Sequence, residues 1–110
     1  MKIAMPTAEG RLCPHFGHAQ AFAIVTVENG TIAGAQMLEP PPHEPGALPR
    51  WLSQLGVSVI IAGGMGRRAQ GFFGQFGIEV VVGAPAQEPL EVARAYLDGA
   101  LRTGENLCDH

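Results

Sequence analysis

Apolar and polar positions divide the chain into short, regular blocks. Residues 2–6 open as a brief apolar run that reads as a first strand stopped by Pro6, and the polar residues 7–11 follow as a loop. Residues 21–27 are apolar on both faces and rich in β-branched side chains, Asn29-Gly30 is a two-residue hairpin signal, and residues 31–38 form a weaker partner strand. Pro40, Pro41, Pro42 and Pro45 make residues 39–46 a stiff loop, since each fixes φ and removes a donor. Leu48, Trp51, Leu52 and Leu55 then share one helical face, with Pro49 in the first turn and Gly56 as the stop.

Residues 57–62 are nearly continuously apolar, the pattern of a strand covered on both faces, and they run into Gly63-Gly64-Met65-Gly66. Ala69, Phe72, Phe73 and Phe76 define a second helix, in which Gly71 and Gly74 read as points of close backbone packing. A fifth strand over 78–82 precedes a third helix that starts near Pro89 and stops at Gly99, with Leu90, Ala93, Tyr96 and Leu97 as its buried stripe. Residues 101–110 show no periodicity. Three strands in a meander followed by two helical crossovers predict an α/β fold over 1–110 as a single domain. Its expected mixed sheet has five strands in the order 3-2-1-4-5, with helices on both faces.

That topology decides where chemistry gathers. Ligands of open α/β sheets bind beyond the carboxyl ends of the strands, where the chain switches direction. The loop after the first strand carries Cys13, His15 and His18, the loop after the third carries His43, and the loop after the fourth carries residues 63–66. The tail of roughly ten residues reaches about 33 Å if extended, long enough to return Cys108 to the same edge or to a partner subunit.

Thiolate and imidazole suit zinc, iron-sulfur, copper or a thiometallate fragment, although the spacing from Cys13 to His18 is no zinc-finger signature. Gly63, Gly64, Met65, Gly66, Arg67 and Arg68 suit an anion: glycines expose N–H groups, the following helix presents its positive end, and the arginines add charge. The stretch lacks the lysine and hydroxyl residue of a P-loop and fails the dinucleotide spacing. No serine nucleophile with a base and no carboxylate pair stands out, so catalysis is not expected.

Composition narrows the classes. A hydrophobic fraction of 46% and a charged fraction of 15% fit a folded domain, and a net charge of -3 argues against nucleic acid as the partner. No apolar run suits a signal peptide or a membrane span, which makes a cytoplasmic protein the expectation. Two cysteines 95 positions apart make free thiols or metal ligands likelier than a bridge in that compartment.

The first strand, the loop from His15 and Phe16 through Gly17 and His18 to Ala19, the 63–69 loop, and Gly77 to Val80 with Gly83-Ala84 together resemble the dinitrogenase iron-molybdenum cofactor biosynthesis family. Within it the chain is most similar to small orange-protein-like members, as a cysteine-bearing subgroup. The resemblance implies a ribonuclease-H-like fold and a nitrogenase-cofactor-type carrier or scaffold for a metal-sulfur cluster, iron-sulfur or molybdenum-copper-sulfur. It also implies a P-loop ATPase of the iron-sulfur carrier type as partner, with no membrane, and a monomer or weak homo-oligomer. Cofactor binding then falls to Gly63, Gly64, Met65, Gly66, Arg67, Arg68, Phe16 and Gly17. Cys13, the His43 loop and the Cys108 end depart from the orange protein, which holds its cluster without cysteine, and the residues themselves make Cys13, His15, His18, His43 and Cys108 the expected metal ligands. The competing readings are a mononuclear zinc or other divalent site with a regulatory role, and an interaction module for such an ATPase.

Overall fold

A computed structural model of the chain describes residues 1–16, 19–42, 44 and 46–104. The elements run β1 (Lys2–Ala8), β2 (Arg11–Leu12), β3 (Ala21–Glu28), β4 (Thr31–Leu38), α1 (Ala47–Gln54), β5 (Val59–Ile61), α2 (Arg67–Gln75), β6 (Glu79–Val81) and α3 (Pro89–Leu97). β1 is the axis of the sheet. It pairs antiparallel with β3 and parallel with β5, β3 carries β4, and β5 carries β6 in parallel.

The sheet therefore has six strands in the order β4-β3-β1-β5-β6, with β2 attached to β1, in place of five ordered 3-2-1-4-5. The added strand is the reason. β1 does not stop at Pro6 but continues to Ala8 and turns through Glu9 and Gly10 into the two-residue β2. Pro6 is tolerated because its carbonyl, and so its missing N–H, points to the side where pairing with β5 has already ended at Ala4; there the carbonyl accepts the N–H of Cys13 at 2.8 Å. Both hairpin turns place two residues at positive φ, Glu9 and Gly10 at 54° and 79°, Asn29 and Gly30 at 52° and 77°. Such turns match the twist of paired strands.

Alternation along the strands builds two cores. One face of the sheet presents Ala4, Phe22, Ile24 and Ile60 to α1 and α2, whose Leu52 and Phe73 are fully buried. The opposite face presents Ile3, Met5, Val25 and Ile61 to Val92 and Ala93 of α3. Two expectations for the helices change. Leu90 lies outside the buried stripe of α3 and is 37% exposed. Gly71 and Gly74 approach no backbone: a Cβ at either would meet nothing within 4 Å. Among the described residues no helix is long and apolar enough to cross a membrane.

Candidate functional site

The turn after β2 carries the chemistry and is fixed by backbone contacts. Leu12 N–H donates to Gln87 O at 2.9 Å, Cys13 N–H to Pro6 O, and Phe16 N–H to Gly64 O at 2.9 Å. Gly63 makes the closest approach: a Cβ there would lie 3.0 Å from Pro14 Cα and 3.2 Å from the carbonyls of Cys13 and Pro14. Glycine is needed at this position so that the thiol-bearing turn can rest on the loop after β5. Gly63 O also accepts Gly83 N–H at 2.9 Å, and Gly83 O accepts Gly104 N–H at 2.6 Å. Turn, loop and tail are thus stitched across the carboxyl ends of β5 and β6.

Cys13 is buried and in no disulfide, and its Sγ donates to His15 O at 3.0 Å. His15 is half-buried beside it. Phe16 anchors the turn by pointing into the core, edge-on to Phe22 (6.0 Å between centroids) and Phe73 (5.7 Å). Pairs of this geometry add about 0.5–1.5 kcal/mol beyond their area.

Gly63 and Gly64 are buried, and Met65 is fully buried in the α1–α2 core, so its side chain packs while its carbonyl accepts Gln70 Nε2 at 2.9 Å. α2 begins at Gly66 in extended geometry, with no side-chain cap and no acidic residue in its first turn. The positive end of α2 lies at this edge, and Arg67 and Arg68 are exposed there. α1 likewise starts at an uncapped Gly46 without a first-turn acid. Between the two helix starts lies a cleft of about 320 Å³, lined by Phe16, Glu44, Leu48, Pro49, Arg68 and Phe72. The Arg68 guanidinium stands 5.8 Å from the centroid of the Phe72 ring.

Of the residues expected at the site, Cys13 meets Gly63 and Phe16 meets Gly64, His15 lies between them in the turn, and Gly66, Arg67 and Arg68 follow in the same loop and helix start. Gly17, His18, His43 and Cys108 lie outside the described residues. Among the described residues no three of His, Cys, Asp and Glu group so as to hold a metal ion. Two parts of this edge carried no ligand-type signal: the apolar lining from Leu48 and Phe72, whose spacing reads as core, and the contact of Gly104 with Gly83, which lies in a segment without periodicity.

The family model described as dinitrogenase iron-molybdenum cofactor matches residues 1–99. An uncharacterised protein of Methanocaldococcus jannaschii is 36% identical, the match covering 96% of this chain and 92% of that protein. The crystal structure of PH0822 superposes with a TM-score of 0.86 at 29% identity, covering 94% of both chains. The apo form of the orange protein from Desulfovibrio gigas superposes with a TM-score of 0.74 at 23% identity, covering 96% of this chain and 93% of that one, and shares the fold.

Proposed function

The chain belongs to the dinitrogenase iron-molybdenum cofactor family, and from that premise we propose that it carries a metal-sulfur cluster or cofactor precursor during metallocofactor assembly, without turnover of its own. The observation that supports this most is the contact of the Cys13–Pro14 backbone with Gly63. It sets a thiol-bearing turn beside an uncapped helix start flanked by two arginines, so soft ligand and anion-binding groups share one edge.

An anionic cluster is held by Arg67, Arg68 and the start of α2, and the 13–16 turn beside it offers Cys13 and His15, with His18, His43 and Cys108 completing the proposed ligand set. To ligate a metal, Cys13 Sγ gives up its bond to His15 O. Release follows when a partner of the iron-sulfur-carrier ATPase class draws the cluster away.

Anaerobic reconstitution with iron and sulfide, and separately with thiomolybdate and copper, tests the reading by absorption, metal content and acid-labile sulfide. A stoichiometric chromophore is expected under one regime. Changing Arg67 and Arg68 together to Gln is expected to weaken retention by about 10-fold or more, since charged hydrogen bonds contribute about 1.5–3 kcal/mol each. Cys13→Ser is expected to change the spectrum. A colourless protein with one tightly held zinc, whose melting temperature falls on chelation, would replace the carrier reading with the mononuclear one.

A further inference from the structure

Charge is distributed unevenly along the chain. Residues 45–78, which include α1 and α2, contain Arg50, Arg67 and Arg68 and neither aspartate nor glutamate, although the whole chain carries a net charge of -3. All three arginines are exposed. The acidic excess lies elsewhere, and part of it follows Gly104: residues 105–110 hold Glu105 and Asp109 and neither lysine nor arginine.

The cleft of about 320 Å³ between the two helix starts lies on this positive face and is mostly apolar, with Phe16, Leu48, Pro49, Ala69 and Phe72 in its lining. Glu44 is its one acidic residue and belongs to the α1 side, where its carbonyl accepts Ala47 N–H at 3.0 Å. On the α2 side the Arg68 guanidinium stands 5.8 Å from the Phe72 centroid, so a positive charge and an aromatic surface are presented side by side. A matching occupant has an apolar side chain with an acid next to it.

Residues 105–110 have that form and begin within reach. They lie outside the described residues, but Gly104 is held: its N–H donates to Gly83 O, and Gly83 N–H donates to Gly63 O. Paired backbones stand about 5 Å apart, so two such steps, about 10 Å, separate Gly104 from the loop that opens α2. The extended 105–110 segment spans about 20 Å. In an extended segment alternate residues share a face about 7 Å apart, which puts Glu105, Leu107 and Asp109 on one side. Leu107, the one large apolar residue of the segment, is thus spaced from Asp109 much as Phe72 is from Arg68.

We propose that residues 105–110 cross the start of α2 in extended form and seat in the α1–α2 cleft of their own chain, with Leu107 against Leu48 and Phe72 and Asp109 paired with Arg68. The anchor at Gly104 presents the segment to the cleft at the high effective concentration of a short tether. Docking regulates access: any anion that reaches Arg68, a cluster included, first displaces Asp109. Cys108 stays on the opposite face of the segment, so the docking neither uses the ligand set proposed above nor rests on it.

Nuclear magnetic resonance of the metal-free full chain tests the docking apart from any cluster. Contacts between the Leu107 methyls and the Phe72 ring are expected, and in an equimolar mixture of isotope-labelled and unlabelled chains they are expected within one chain only. Asp109→Lys is expected to lower the ratio of docked to free segment by about 2- to 5-fold, the range of an exposed ion pair. Combining it with Arg68→Glu is expected to restore the parental ratio, with circular dichroism to check that the fold is kept. Absence of Leu107–Phe72 contacts in the parent overturns the proposal, as do contacts that run between chains. A double variant no better docked than Asp109→Lys alone overturns it equally.

Discussion

Glu9 and Asn29 occupy equivalent places in two hairpin turns, at φ 54° and 52°, yet only asparagine is suited to that conformation. A left-handed residue costs roughly 1–2 kcal/mol, and asparagine is among the few that reduce the cost by local hydrogen bonding. Glu9→Asn is therefore expected to stabilise the protein by roughly 0.5–1 kcal/mol, read as an increase in the urea midpoint at constant slope. The bond that Glu9 N–H donates to Gln20 Oε1 involves the backbone and survives the change. The contrast also explains what sequence could reveal. Asn29-Gly30 announces its turn, and β3 and β4 follow from it; Glu9-Gly10 carries half the signal, so β2 was hidden and the end of β1 was misplaced at Pro6. Gly63 looked like part of an anion loop, whereas its contact with Pro14 arises only when two loops distant in sequence are folded together. Gly63→Ala, by placing a Cβ 3.0 Å from Pro14 Cα, is expected to cost about 1–3 kcal/mol in the same measurement.

Among the elements, α2 separates stability from binding. Its cap, Gly66, has the extended geometry of an N-cap and open space for a Cβ, but supplies no side-chain acceptor. Gly66→Asp is expected to stabilise the helix by about 0.3–1 kcal/mol through its charge at the positive end. The same carboxylate competes for the helix start assigned to the cluster, so thermal midpoint and cluster retention should move in opposite directions. Both rising together would remove the helix start from the site. α3 is tied to the sheet by a bond that titrates: Tyr96 Oη donates to Glu79 Oε2 at 3.0 Å. Burial raises this phenol above its ordinary value of 10.0, and the hydrogen bond to Glu79 and its negative charge act in the same direction. A raised folded value means that the stabilisation is complete below about pH 10 and is lost as pH climbs through the folded value. Denaturant titrations of the parent and Tyr96→Phe should therefore differ at neutral pH and converge in alkali.

Across the whole molecule, the carboxyl edge of the sheet is closed by a run of glycine backbones. Gly64 accepts from Phe16, Gly63 from Gly83, and Gly83 from Gly104. This brings the chain after α3 back across the fold, with Leu101 packed against the α3 core on the way. The strand pattern foretold that the 13–16 turn and the 63–66 loop would share an edge, because parallel β1 and β5 both end there. Of the tail it foretold only a length sufficient to return to that edge, and the route of residues 101–104 depends on a backbone fit with no apolar period. Gly83 holds that route twice over: its φ is 82°, and a Cβ on it would collide with the Gly104 carbonyl. Gly83→Ala therefore has two ways to relax, by straining its own turn at roughly 1–2 kcal/mol or by releasing the tail. Release exposes the backbone after Arg102, itself already on the surface. Limited trypsinolysis should then cut at Arg102 several-fold faster than in the parent, and Gly104 N–H should lose its protection against hydrogen exchange. A variant that loses stability while keeping parental cleavage at Arg102 and protection at Gly104 would show that the strain stays in the turn and that the Leu101 packing alone retains the tail.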